Sequence, residues 1–298
     1  MAYVNPLADE PARDREDVEL VRRIQAGSRD ALERLVERHQ AWIYNIVLRM
    51  VWYPQDAEDA TQEVLIKLLT KLSTFEGRSS FRTWLYRIVI NHALNMKRRR
   101  LEELTEPFDT YRRELDETPV LDLPDPTSVP ADVQLLVHEA KIGCTSGMLL
   151  CLDRQQRIIY ILGEIFGVTD RVGAELLDVS RANYRQRLAR ARRDLHNFMQ
   201  QQCGLINAAN PCRCAKKTQG FIKAGYIDPH NLLFARAHLT RVRDVAEKRG
   251  EDLEALDAAY AEIHRDHPFY AGPDLVAALR QLLARPEFQS LIQAEDPC

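Results

Sequence analysis

The stretch DAEDATQEVLIKLLTKLSTFEGRSSFRTWLYRIVINHALNMKRRR, residues 56–100, decides how the rest of the chain is read. It predicts two helices joined by a short loop, Phe75-Glu76-Gly77-Arg78, and ends in four cations, Lys97-Arg98-Arg99-Arg100. Asp56 is placed to cap the first helix, which runs from Ala57 to Leu72 with Ala57, Ala60, Val64, Leu68 and Leu72 on its apolar side. The outer side bears Asp59, Gln62, Glu63, Lys67 and Thr70, by pattern alone a solvated face. The second helix begins near Ser79-Ser80 and sets Phe81, Trp84, Leu85 and Ile88 at helical spacing, which assigns them to the core. Arg87, Asn91, Asn95 and Arg98 form another stripe of donors and amides with no acid among them. Such a face suits a negatively charged polymer whose bases it can also hydrogen-bond.

Upstream, Asp17 to Gln25 reads as the start of a helix, Gly27-Ser28 breaks it, and Ser28 caps a second helix running to about Met50. Residues 1–16 read as a loose arm. Downstream, residues 101–132 hold ten acids, two arginines and five prolines without a helical period. They read as an extended, self-repelling linker. The 298 residues carry a net charge of only −3, so charge matters here by distribution: the acidic linker is followed by seven arginines against three acids between Arg171 and Gln200. No apolar run is long enough for a membrane span and the N-terminus has no signal-peptide pattern, which predicts a cytoplasmic protein.

From Val133 the helical pattern resumes, with Gly143 and Gly147 weakening one helix and Gly167 stopping the next. Arg171 to Leu177 is a short helix, Asp178-Val179 a tight turn, and Ser180 caps a longer basic helix from Arg181 to about Met199. That is the helix-turn-helix order. Tyr184, Leu188, Ala191 and Leu195 are its core stripe. Arg181, Arg185, Gln186 and Arg190 lie off that stripe; Arg181, Ala182, Asn183, Arg185 and Gln186 stand where base edges are read, and Arg187, Arg192 and Arg193 are placed for phosphates.

The two blocks resemble the extracytoplasmic-function (ECF) group of bacterial sigma factors over about Asp17 to Gln200. Asp59-Ala60-Thr61-Gln62-Glu63-Val64 is similar to that family's polymerase-clamp segment. Phe81-Arg82-Thr83-Trp84-Leu85-Tyr86-Arg87-Ile88, with Asn91 and the basic run, is similar to its promoter-melting segment. Leu188-Ala189-Arg190-Ala191-Arg192-Arg193-Asp194-Leu195 resembles the end of its upstream-element helix. The resemblance implies an all-α fold: residues 17–100 for the polymerase clamp and minus-ten element, 101–132 as linker, and 133–200 for the minus-thirty-five element. It implies that Asp59, Gln62 and Glu63 bind the beta-prime clamp of core RNA polymerase, with the beta flap also engaged. It places Arg87, Asn91, Asn95 and Arg98 on the minus-ten strand, a flipped base against the 75–82 loop, and Arg181, Asn183, Arg185, Gln186, Arg187 and Arg190 on minus-thirty-five DNA. The chain departs from the family pattern in three places: Asp178 where glycine is common, Leu152-Asp153 for Leu-Pro, and Val172-Gly173-Ala174 for Glu-Ile-Ala.

Residues 201–298 lie beyond the resemblance. Cys203 and the run Asn210-Pro211-Cys212-Arg213-Cys214 allow three readings: a zinc-like site of Cys203, Cys212 and Cys214 completed by His230, His238 or Cys298, a redox switch, or structural cysteines. Helices are expected over Asp228 to Lys248, Leu253 to His264 and from Pro273, with Glu287 to Gln293 as a short last one. His264 and His267 are expected at the surface. No catalytic constellation is visible, so the chain reads as a non-enzyme. A DNA-binding regulator that does not recruit polymerase, and a thiol- or metal-dependent sensor, are the competing readings. The helical tail is expected to pack on one or both DNA-binding blocks and regulate in cis, replacing or supplementing an anti-sigma partner.

Overall fold

The computed structural model describes residues 7, 11–97, 108–124, 133–234, 264, 269–270, 272 and 274–283. The first block is built from α1 (Pro11–Gln25), α2 (Arg29–Val51), α3 (Pro54–Lys71) and α4 (Phe81–Asn95). Serine caps set two of its starts: Ser28 Oγ accepts from Ala31 N at 3.3 Å and Ser80 Oγ from Thr83 N at 3.1 Å. Asp56 does not cap α3. Pro54 opens that helix instead, at the first-turn position where its missing N–H costs nothing, and Asp56 sits within the first turn. Helix α1 also begins earlier than expected, at Pro11, inside the stretch read as a loose arm. Asp17, fully buried, ties α1 to its neighbours by accepting from Arg38 Nε at 2.8 Å and Arg82 Nε at 2.6 Å. Burial would raise its pKa, but hydrogen bonds and charge from His39 and Arg82 outweigh this and hold it at about 2.

The expected extended linker is corrected over part of its length. Phe108–Glu117 forms a helix, α5, with Tyr111 and Leu115 buried. Three apolar residues, Phe108, Tyr111 and Leu115, recur every three or four positions among the acids and give α5 a face to dock. Phe108 and Tyr111 pack on Phe198 at ring-centroid distances of 5.0 and 5.9 Å, and Tyr111 Oη donates to Cys144 O at 2.8 Å.

The second block comprises α6 (Val133–Leu150), α7 (Arg154–Tyr160) continuing into a wider π-type turn at Ile161–Ile165, α8 (Asp170–Leu177) and α9 (Arg181–Gln202). Of the two mid-helix glycines of α6, Gly147 marks a close approach: a Cβ there would stand 2.7 Å from Tyr111 Oη. Gly143 has room for a Cβ, and its carbonyl accepts from Trp52 Nε1 at 2.9 Å. Asp178 takes the glycine-like place in the tight turn with φ 53° and ψ 48°, a left-handed conformation that aspartate tolerates better than most residues. Ser180 Oγ accepts from Asn183 N at 3.2 Å and starts α9.

Gly173, another departure from the family pattern, is explained by Tyr184. A Cβ there would lie 2.4 Å from the fully buried Tyr184 ring. Gly173→Ala should therefore lower stability by about 1–3 kcal/mol through overpacking, read as a lower urea midpoint. A midpoint unchanged from wild type would show that the α8–α9 packing is looser than described.

Beyond α9 the tail contributes α10 (Cys214–Lys223), a helix that sequence pattern does not announce, and α11 (Leu275–Leu283). The expected Asp228–Lys248 helix is absent over Asp228–Phe234, where the chain is turn and irregular backbone, and its remainder lies outside the described residues. The expected helices at Leu253–His264 and Glu287–Gln293 fall outside them too, apart from His264. His264 is not at the surface: it is fully buried, 5.7 Å centroid to centroid from Tyr160. Burial, then the charges of Arg49 and His196, hold its imidazole down to about 3, so it is neutral at physiological pH. His267 lies outside the described residues.

The two blocks are packed against each other. Arg157, fully buried on α7, donates to Met50 O of the first block as well as to Leu149, Leu150 and Leu152 of its own. The tail touches both. Glu139 of α6 accepts from the backbone N–H groups of Leu233 and Phe234, Asn45 of α2 exchanges two hydrogen bonds with the Tyr270 backbone, and Arg280 of α11 forks onto Glu33 of α2.

Candidate nucleic-acid interface

Asp59, Gln62 and Glu63 lie exposed on one side of α3, opposite its buried Ala57, Ala60, Val64 and Leu68. Glu63 Oε2 is 3.5 Å from His92 Nε2, and Lys67 Nζ is 2.6 Å from His92 Nδ1, which orients this side of α3 against α4. Burial lowers the His92 pKa, Lys67 adds to this, and Glu63 opposes it. The α3 face is acidic and amide-bearing and is left uncovered by the described part of the tail.

On α4, Phe81 and Leu85 are fully buried, while Trp84 and Ile88 are half-buried rather than interior. Trp84 stacks against Phe75 and Phe81 at 5.5 and 5.7 Å. Together with Thr74, Glu76, Arg78, Ser79 and Arg87 it lines an open groove beside the 75–82 loop. Glu175, from α8 of the second block, closes one wall of this groove. Arg87 does not point to solvent alone: its Nε and Nη2 donate to Glu175 O at 3.1 and 2.8 Å. Further along α4, Arg154 of α7 donates to the carbonyls of Leu94 and Met96. Asn91 and Asn95 stay exposed, with Asn95 Nδ2 donating to Asn91 O at 2.7 Å. Arg98 lies outside the described residues.

On α9, Arg181, Arg185, Gln186 and Arg190 are exposed and Asn183 and Arg187 half-exposed. Asn183, Gln186, Arg187, Ala189, Arg190 and Arg193 line an open groove, and its amides and guanidinium groups are the donors that base edges and phosphates accept from. Arg181 and Arg185 are held toward Asp170 at 3.1 and 3.5 Å, whose carboxyl falls below the usual range chiefly through the Arg181 hydrogen bond. Arg187 pairs with Gln155 and Arg192 with Glu164, so Arg192 is braced inward at its tip.

Cys203 caps α9 and pairs with Cys212 in an isolated bridge, while Cys214 opens α10. Among the described residues no group of three or more histidine, cysteine or acidic side chains is arranged to hold a metal ion. His230 is exposed, and His238 and Cys298 lie outside the described residues. No described helix is long and apolar enough to cross a membrane.

The fold's two blocks match two known regions. Sigma-70 region 2 aligns with residues 35–102 and Sigma-70, region 4, with residues 143–195. The RNA polymerase sigma-H factor of Pseudomonas aeruginosa is 44% identical over 80 residues, 27% of this chain and 42% of that protein. The ECF RNA polymerase sigma-E factor of Haemophilus influenzae is 29% identical over 195 residues, 62% of this chain and 95% of that protein. The sigma-E factor of Escherichia coli is 44% identical over 80 residues, 26% of this chain and 41% of that protein. The chain thus spans less than half the length of two of these relatives and nearly all of the third. With a match to sigma-70 region 2 followed by a match to region 4, both carried on the helices described above, the chain is similar to sigma factors of the ECF type.

Proposed function

We propose that the chain is a transcription initiation factor that recruits core RNA polymerase to particular promoters. Region 2 docks on the beta-prime clamp through Asp59, Gln62 and Glu63 and takes the minus-ten strand along Asn91, Asn95 and Arg87. A base unstacked from the duplex enters the groove beside Trp84, where binding must offset the cost of unstacking. Region 4 meets the beta flap and reads the minus-thirty-five element with Asn183, Arg185, Gln186 and Arg190. None of these groups forms a nucleophile–base pair, so the chain acts by binding and its own side chains catalyse no reaction.

The observation that carries this reading is that both regions keep their partner-facing surfaces, the α3 acidic side and the α9 basic side, exposed in one folded chain. A DNA-binding regulator without polymerase recruitment has no use for the first of these. Asp59→Arg reverses charge at an exposed position of the α3 face. It should weaken core-polymerase binding about tenfold or more, roughly 1.4 kcal/mol, with the melting temperature unchanged. Equal affinity for the two proteins would remove Asp59 from the interface.

Arg87 is engaged by Glu175 O, region 4 grips the end of α4 through Arg154, and the tail is bonded to both regions. This arrangement is closed: the melting helix and region 4 cannot separate to span two promoter elements while these contacts hold. The tail therefore acts in cis as a clasp, doing within one chain what a separate anti-sigma partner would do from outside.

A further inference from the structure

We propose that Cys203 and Cys212 are a reversible dithiol–disulfide site, built into the loop that follows the recognition helix. The two residues are paired across an isolated parallel bridge and both are free thiols in this structure. Bridge partners sit on neighbouring extended segments about 4.7–4.9 Å apart, inside the roughly 4.4–6.8 Å window of Cα separations that a disulfide spans.

The rest of the loop is built to bring them together. Asn210 Nδ2 donates to Gln200 O at 2.9 Å and to Cys203 O at 3.2 Å, and Asn207 Nδ2 reaches Gln200 O at 3.3 Å. The Arg213 guanidinium gathers the carbonyls of Ala208, Asn210 and Cys212 from below. Gly204 lets the returning strand approach, since a Cβ there would stand 2.0 Å from Cys212 O. The closeness of the cysteines is thus fixed by side-chain bonds to the loop backbone that hold in the reduced chain.

The thiols are unequal. Cys203 is buried and Cys212 half-exposed, so an oxidant reaches Cys212 first. Burial raises the Cys212 pKa and Cys203 raises it further, while the charges of Lys217 and Arg213 pull it down. Cys214 is pushed by burial up to about 12 and stays protonated. With a small-molecule disulfide as oxidant, the Cys212 thiolate attacks one of its sulfurs and expels a first thiolate. Cys203 then attacks Cys212 Sγ, forms the intramolecular bond and expels the mixed-disulfide partner as a second thiolate. The two thiol protons go to the two expelled thiolates, and one disulfide is exchanged for another.

The bond would join the end of α9 to the start of α10. Helix α10 packs on α6 and on the α5 segment, where Lys216 O accepts from Leu121 N at 2.9 Å and Lys217 Nζ donates to Leu115 O at 2.6 Å. Oxidation would therefore pin the tail's first helix to the recognition helix.

The test is thiol counting on the full-length chain treated with oxidised glutathione, then alkylated and digested with trypsin. Cys203 and Cys212 fall within one tryptic peptide, residues 194–213, and Cys214 within another, residues 214–216. The expected result is loss of two of the six alkylatable thiols, with peptide 194–213 lighter by two hydrogens than its reduced form. Cys203→Ser should leave Cys212 as a glutathione adduct, and Cys212→Ser, at a half-exposed position, should leave Cys203 reduced. Six free thiols after treatment, or a bond joining peptide 194–213 to peptide 214–216, would overturn the assignment. So would stoichiometric zinc in the untreated protein that blocks oxidation until chelated, because the cysteines would then be metal ligands.

Discussion

Arg157→Leu is expected to lower the unfolding free energy by about 3–5 kcal/mol. Arg157 is fully buried and its guanidinium donates four hydrogen bonds: Nε to Leu149 O at 3.0 Å, Nη1 to Met50 O at 2.7 Å, and Nη2 to Leu150 O at 3.0 Å and Leu152 O at 2.9 Å. Met50 is in the last turn of α2 and Leu149 and Leu150 in the last turn of α6, where helix carbonyls lack intrahelical donors. One cation thus finishes two helices from different regions, and its charge lies at the negative end of both dipoles. Leucine has a compatible volume but takes all four donors away; Leu149 O keeps the Leu152 N–H at 3.2 Å, and each buried carbonyl left without a donor costs about 1–3 kcal/mol before relaxation and water entry. Urea unfolding of the full chain measures this. A loss below about 1 kcal/mol would mean that the carbonyls find other donors and that Arg157 does not organise the junction.

The second large effect is on promoter binding. Removing residues 201–298 should raise affinity of the polymerase-bound factor for promoter DNA by roughly 100-fold. That corresponds to a closed form favoured by about 3 kcal/mol, whose competent fraction limits the apparent affinity. The estimate rests on what the clasp must release: the Glu139 carboxylate on two backbone N–H groups, the Asn45–Tyr270 amide pair, the Arg280–Glu33 fork, and Phe234 against Trp52 at 5.2 Å. Glu139→Gln in the full chain is the smaller counterpart. It swaps a two-oxygen acceptor for a group whose NH2 faces the Phe234 N–H, and should raise affinity in the same direction by about tenfold. A truncation that binds no better than the full chain, with Glu139→Gln also unchanged, would show that the tail contacts do not hold the regions closed.

The sequence alone carried the helical blocks and their caps because those are local. Ser28, Ser80 and Ser180 announce helix starts, and their hydroxyls accept the backbone N–H three residues on. Asp178 and Gly167 mark turns by their backbone needs, with φ of 53° and 64°. What stayed hidden is what depends on distant partners. The acids and prolines of residues 101–132 masked α5, whose apolar face has meaning only once Phe198 and Cys144 stand opposite it. Arg157 reads as an ordinary polar start to a helix until Met50 O is brought to it. His264 sits in a polar stretch of sequence and is buried against Tyr160 all the same. Arg87 lies on the polar stripe that the periodicity sets apart from the core, but its engagement by Glu175 O belongs to the packing of one region on another, which no periodicity encodes. The cysteines were legible as a cluster, and their pairing was not, since it depends on the loop braced by Asn210 and Arg213.

The most direct measurement is run-off transcription with purified core RNA polymerase on genomic promoter fragments, comparing full-length protein with residues 1–200. Both should yield discrete transcripts absent with core polymerase alone, the truncated form at the higher rate. If neither produces a transcript from any fragment while both still bind DNA, the chain is a DNA-binding protein that does not initiate transcription.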